Sequence, residues 1–162
     1  MLRVASFNVN GIRAAQRRGA LRDMGSTVVA LRLVRDRAVI AHVGDSRLYR
    51  LRAGALCQLT IDHSLAAELA ASGHPPGPDW AFRHVVTRAL GTGSGEPEVR
   101  CEPIAAGDVF LLCSDGLSEV LAPEVLAAQL ARPVEAACRA LIDAAYQAGS
   151  RDNISAIVIR VR

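Results

Sequence analysis

Lysine is absent from the 162 residues, so every positive side chain except histidine is an arginine, 19 in all. With abundant alanine, this reads as codon bias of a GC-rich genome and carries no functional signal. Aromatic residues make up only 4%. No apolar run approaches the ~18–20 residues of a membrane-spanning helix. No apolar stretch of signal-peptide length follows Arg3, so the start is not expected to act as a secretory leader. Asn8, Asn10 and Gly11 interrupt any amphipathic helix in the Arg-rich start, which argues against a transit peptide. The four Cys, at 57, 101, 113 and 138, form no CxxC-type pair, so a zinc-ribbon site is excluded. They are expected to be reduced, mostly buried thiols of a cytoplasmic protein.

Charge is unevenly spread. The net +3 comes from residues 1–24, where five Arg face the single acid Asp23. Residues 25–162 carry 14 Arg against 15 acids and are close to neutral. A 51% hydrophobic, 22% charged chain of this length can bury a core and is not disordered. One folded unit is expected, preceded by a basic head. Arg13, Arg17 and Arg18 read as a solvated face, so neither nucleic acid nor membrane is an expected partner.

Alternating apolar residues predict strands over 2–9, 27–34, 38–43, 46–51, 55–60, 97–104, 108–113 and 154–161. The short connections among the early strands predict an antiparallel meander. Helices are predicted from Ser64 to about Ser72, from Pro123, and from Val134 to about Ala148, with Gly149 as the stop. The last helix should bury Val134, Ala137, Leu141, Ala144, Ala145 and Ala148. Ala14 to Asp23 is a basic helix or loop, and Arg83 to Leu90 reads as extended. Gly91-Thr92-Gly93-Ser94-Gly95 lacks the Gly-Lys-Ser/Thr ending of a phosphate loop and reads as a linker. Trp80 is expected to pack a surface flap, with contact to substrate as the alternative. The class is α+β.

Three aspartates end apolar strands beside Gly or Asn: Val43-Gly44-Asp45-Ser46-Arg47, Cys113-Ser114-Asp115-Gly116 and Ser150-Arg151-Asp152-Asn153. Short, stiff carboxylates at strand ends suit a hard dication, and converging they would lower the pKa of a bound water. Singly, each also fits a helix cap or turn.

In this setting the chain resembles the metal-dependent type 2C (PPM) protein serine/threonine phosphatases from Gly25 to Val161. Six motifs in family order carry the resemblance. They are Gly25-Ser26-Thr27, Ala41-His42-Val43-Gly44-Asp45-Ser46-Arg47-Leu48-Tyr49, Leu59-Thr60-Ile61-Asp62-His63-Ser64, Val86-Thr87-Arg88-Ala89-Leu90-Gly91, Gly107 through Leu117, and Arg151-Asp152-Asn153-Ile154. The resemblance implies a four-layer α-β-β-α sandwich of two antiparallel sheets with outer helices. It implies two Mn²⁺ or Mg²⁺ ions and a water, activated by them, that attacks phosphorus without a phosphoenzyme. It marks Asp115 and Asp152 as metal ligands, facing one another across a shared cleft. Asp45, with Asp115, would help hold a third, weaker ion. Gly116, Asn153 and Ser114 would support these loops. No catalytic residue separate from the metal ligands is implied, and no substrate-binding residue is identified. Asp62 and His63 read as turn and packing residues. The expected partners are phosphorylated Ser/Thr proteins of a bacterial signalling system.

The resemblance also implies an N-terminal stretch with a phosphate-binding Arg, an acidic element and an Asp-Gly-x-Gly-Gly motif whose Asp bridges both ions. Residues 1–24 contain no such motif. Two dications ~4 Å apart repel by a gross ~17 kcal/mol at an effective dielectric of ~20, so a missing bridge matters. The expectation is a partial sandwich lacking N-terminal strands and helices, holding fewer ions, with impaired activity. Its exposed sheet edges would favour self-association. Residues 1–19, with Phe7-Asn8-Val9-Asn10-Gly11-Ile12-Arg13, instead resemble the first strand of exonuclease III and related AP endonucleases. That divides the chain into an atypical head, 1–24, and a phosphatase part, 25–162. The alternatives are an inactive phosphatase-like binding module and, remotely, a nuclease-related protein.

Overall fold

The computed structural model describes residues 2–8, 25–77, 80–93 and 95–162, with residues 2–8 described as a strand and its pairing. The Asn10-Gly11 turn, Arg13, Arg17 and Arg18, and the Ala14–Asp23 stretch lie outside the described residues.

Eight strands are described: β1 Leu2–Asn8, β2 Thr27–Val34, β3 Arg37–Val43, β4 Arg47–Arg52, β5 Ala55–Gln58, β6 Glu98–Pro103, β7 Val109–Cys113 and β8 Ala156–Arg160. The helices are α1 Leu65–Ala71, α2 Asp115–Ser118, α3 Pro123–Leu130 and α4 Val134–Gln147. Two antiparallel sheets form, in the orders β1-β2-β3-β6 and β5-β4-β7-β8. The expected meander therefore splits. At Gly44-Asp45-Ser46 the chain leaves the first sheet and β4 begins the second. Strands β6 and β7 divide in the same way across Ala106-Gly107 and do not pair with each other.

The sheets face each other over Val29, Leu31, Ala38, Ile40, Leu48, Leu59, Phe110, Leu112 and Ile159. A second core lies between the other face of the second sheet and the helices, around Leu111, Leu117, Leu126, Leu130, Ala137, Leu141 and Ala145. Strand β7 is buried at all five positions because it lies between both cores. That explains its unbroken apolar run: Phe110 and Leu112 point to the first sheet, Val109, Leu111 and Cys113 to the helices. Two sheets and one helical layer are thus in place. The helices pack chiefly on the second sheet. No helix among the described residues is long and apolar enough to cross a membrane.

The helix predictions hold at their caps. Ser64 Oγ accepts the Ala67 N–H at the start of α1. Helix α4 ends at Gly149, whose φ of 84° is the left-handed conformation that ends helices. Ala148 is exposed, not part of the buried face, because it lies past the last helical turn. Arg83–Leu90 is not a strand. It forms turns with two isolated bridges, Ser64–Val86 and Ser26–Leu90. The cysteines are all free, but only Cys113 is buried, and burial pushes its thiol up to about 12. Cys57 and Cys101 are exposed because they sit on the edge strands β5 and β6.

Candidate active site

Backbone register brings the site together. Arg47 pairs with Cys113, and Cys113 with Ala156, so the start of β4, the end of β7 and the start of β8 share one end of the second sheet. Asp45 precedes the first, Asp115 follows the second and Asp152 precedes the third.

Each aspartate is held by its local chain. Gly44 has a φ of 97°, and a Cβ there would overlap the Thr27 side chain. Only glycine fits that turn and that approach. Its N–H donates to His63 Nδ1 at 3.2 Å, and its carbonyl accepts the His63 N–H at 3.0 Å. Asp115 is the first residue of α2 and accepts the Gly116 N–H at 2.9 Å. Asp152 accepts the Asn153 N–H at 2.7 Å. Its loop starts where α4 closes with a Ser150 N–H to Ala145 carbonyl bond.

The Asp115 and Asp152 loops are bonded to each other. Ser114 Oγ donates to the Asn153 carbonyl at 2.9 Å and accepts the Ser155 N–H at 3.0 Å. Ser150 Oγ donates to the Gly116 carbonyl at 2.7 Å. Asn153 thus ties these loops through its backbone.

Asp45, Asp115 and Asp152 line one cleft of about 790 Å³, together with Glu119, Arg83 and Arg151. A smaller cavity beside it shares Asp45, Asp115, Arg83 and Glu119 and adds Arg47 and Asp62. Burial, and then the Asp115 charge, raises the Asp45 carboxyl from its ordinary value to about 6. Burial, and then Asp152, raises Asp115 as well. Crowded, partly buried carboxylates that oppose one another's ionisation are the donor set of a hard dication, which relieves that repulsion. The residues present therefore fit Mg²⁺ or Mn²⁺.

Three cleft residues are not foreseen by the sequence reading. Arg83 Nε donates to His84 Nε2 at 2.7 Å, and His84 Nδ1 donates to Glu119 Oε1 at 2.7 Å. Glu119 had a readable signal, one helical turn after Asp115. Arg83 and His84 had none, because a loop without periodicity carries them in. Asp62 is more than a turn residue: it receives the Arg47 guanidinium through both oxygens, at 2.6–3.0 Å. Trp80 packs edge-on against Phe82, with ring centres 5.6 Å apart.

Comparison with known proteins gives one family, described as Protein phosphatase 2C, matching residues 3–152. The serine/threonine protein phosphatase PstP of Mycobacterium tuberculosis is 37% identical over 147 residues, covering 87% of this chain and 28% of PstP. The serine/threonine phosphatase Stp of Listeria monocytogenes is also 37% identical, covering 86% of this chain and 58% of its own. This chain thus spans well under two thirds of either relative. The crystal structure of the PstP catalytic domain with two manganese ions superposes with a TM-score of 0.79 at 34% identity, covering 93% of this chain and 65% of that one.

Proposed function

Because this chain belongs to the protein phosphatase 2C family, we propose that its cleft hydrolyses phosphoserine and phosphothreonine esters of proteins with the help of Mn²⁺ or Mg²⁺. The observation that carries the reading is the meeting of Asp45, Asp115 and Asp152, from three separate chain segments, on one cleft. In this reading Asp115, Asp152 and Asp45 hold the ions. When bound, the ions supply a Lewis acid for phosphoryl oxygens and an activated water.

The chain's own residues do the rest. Ser114, Gly116, Ser150 and Asn153 keep two of the carboxylates at a fixed spacing. Arg83 and Arg151 offer positive charge to a phosphoester in the same cleft. Glu119 fixes His84, and His84 fixes Arg83, so that cation is aimed before substrate arrives. The setting we infer is bacterial cytoplasmic signalling, with phosphorylated proteins as substrates. Self-association through the open edge strand β6, whose Val99 is 63% exposed, belongs to the same proposal.

One specific observation favours a second reading, a phosphatase-like module that binds without fast turnover. No Asp-Gly-x-Gly-Gly stretch occurs in the 162 residues. Hydrolysis of p-nitrophenyl phosphate and of a phosphothreonine peptide, with and without Mn²⁺, separates the two. Mn²⁺-dependent turnover above an Asp115→Ala control supports the enzyme. Mn²⁺ binding by calorimetry without such turnover supports the module. Neither binding nor turnover refutes both.

A further inference from the structure

Behind the Asp45 turn, away from the cleft carboxylates, lies a second cluster of donor atoms. His42, near the end of β3, pairs across strands with Glu98 of β6. His63 stacks on His42, with ring centres 4.6 Å apart and planes 16° from parallel. His42 is 0% exposed and His63 6%. One nitrogen from each ring and a carboxylate oxygen of Glu98 lie within 4.8 Å of one another.

The proton positions follow from the neighbours. His42 Nε2 lies 2.8 Å from the Ile61 carbonyl, which can only accept. The proton is therefore on Nε2, and Nδ1 presents a bare lone pair. His63 Nδ1 accepts the Gly44 N–H, so its proton is on Nε2. That nitrogen is 3.6 Å from Glu98 Oε2, too far for a good hydrogen bond. His42 Nδ1 and His63 Nε2 are both buried and have no protein hydrogen-bond partner. Buried polar atoms are rarely left so, and two of them beside a carboxylate ask for a ligand.

Two imidazoles and one carboxylate suit zinc-class dications, which bind nitrogen well. They suit Mg²⁺ poorly, since it prefers oxygen and water. Because His63 Nδ1 accepts the Gly44 N–H, that ring carries a single proton and is in the neutral form that ligates. Donors around such an ion sit about 3.4 Å apart, so the cluster must tighten. Glu98, 35% exposed on an edge strand, can swing in, and because the stacked rings are only 16° from parallel, His63 must also turn to aim its in-plane lone pair at the same ion.

We propose that His42, His63 and Glu98 form a second metal site, for a zinc-class ion, whose filling disturbs the Asp45 turn. The coupling is a tautomer shift. A neutral His63 that binds through Nε2 carries its proton on Nδ1. Nδ1 then no longer accepts the Gly44 N–H, and two donors face each other. Gly44 must turn away, and Asp45 follows it. A zinc-class ion at the His site and Mn²⁺ in the cleft therefore oppose one another.

The test uses the full chain with the cleft disabled by Asp115→Asn and Asp152→Asn. Co²⁺ is titrated and read by visible absorption, and Zn²⁺ by calorimetry. The expected result is one equivalent bound, with the intense Co²⁺ band of a four-coordinate site. Adding Glu98→Gln should weaken binding by about tenfold or more. Glu98→Gln is the decisive variant, because a half-exposed edge residue can change without unfolding the core; circular dichroism checks this. In the chain with its cleft intact, prior Zn²⁺ should weaken Mn²⁺ binding by about fivefold, and Glu98→Gln should remove the effect. Absence of stoichiometric Co²⁺ in the cleft-disabled chain, or binding indifferent to Glu98→Gln, overturns the site. Zn²⁺ binding that leaves Mn²⁺ affinity unchanged overturns the coupling. Because the first measurement needs no cleft and no turnover, its failure is distinct from failure of the phosphatase reading.

Discussion

Gly116 approaches Asn153 so closely that a Cβ on Gly116 would stand 2.5 Å from the Asn153 carbonyl oxygen and 3.3 Å from Asp152 Cβ. Backbone cannot yield as a flexible side chain can. Gly116→Ala should therefore push the Asp152 loop outward. We expect a loss of about 1–3 kcal/mol in stability and Mn²⁺ affinity lower by about tenfold or more. Thermal melts and calorimetry on one preparation read both. Unchanged Mn²⁺ affinity would show that the spacing of Asp115 and Asp152 does not govern ion binding.

Asp45 gives a prediction with a definite sign. Its folded pKa, about 6, lies above the ordinary carboxylate value. The ionised group therefore opposes folding at higher pH, and the opposition fades as pH falls through 6 toward 4. The full penalty is about 3 kcal/mol, and roughly half of it is relieved by pH ~5. Asp115 acts in the same direction. Asp108, held below the ordinary carboxylate range by Arg52, acts oppositely, but only as pH falls below about 4. His63, held below the ordinary imidazole pKa, also acts oppositely as pH falls below about 6.5, so the Asp45 effect is read as a difference: between pH ~7.5 and pH ~5 the metal-free chain should gain stability relative to its Asp45→Asn variant. Asp45→Asn should raise the melting temperature of the metal-free chain at the higher pH and reduce the gain from added Mn²⁺. A lower metal-free melting temperature for Asp45→Asn would contradict the assignment.

The Arg47–Asp62 pair sits beside the cleft with both side chains largely buried. Asp62→Asn leaves a guanidinium short of its counter-charge and should cost about 2–4 kcal/mol, discounted from a fully buried pair. Arg47→Met with Asp62→Asn should recover part of that loss. Urea denaturation of the two variants decides, and equal losses would argue against a charge effect.

Phe110 is fully buried where the two sheets meet. Phe110→Ala should cost about 3–5 kcal/mol. Denaturant midpoints with an unchanged slope would assign the loss to packing.

Strand positions, helix caps and the three aspartates were legible, because each rests on local chemistry: alternation, a capping Ser or Gly, an Asp beside Gly or Asn. Sheet membership was not. Val43 to Arg47 and Ile104 to Asp108 are short enough for hairpins, yet each connection crosses between sheets, since the apolar faces of β3 and β4 are satisfied only by opposing layers. Val85, Val86 and Thr87 have strand-forming side chains, but only the single Ser64–Val86 bridge forms there, so no strand runs through them. Cys57 and Cys101 lie in alternating segments whose outward face their edge position exposes. Arg83 and His84 reach the cleft through a path that no periodicity encodes.

The crossover at Gly44 has a mechanical consequence. Asp115 and Asp152 are anchored to the same sheet, so their separation is insensitive to sliding of one sheet over the other. Asp45 rides on the seam and registers any such shear as a change of distance. A ligand gripped by the pair alone ignores the strain state of the sandwich, whereas one that also needs Asp45 works as a gauge of it.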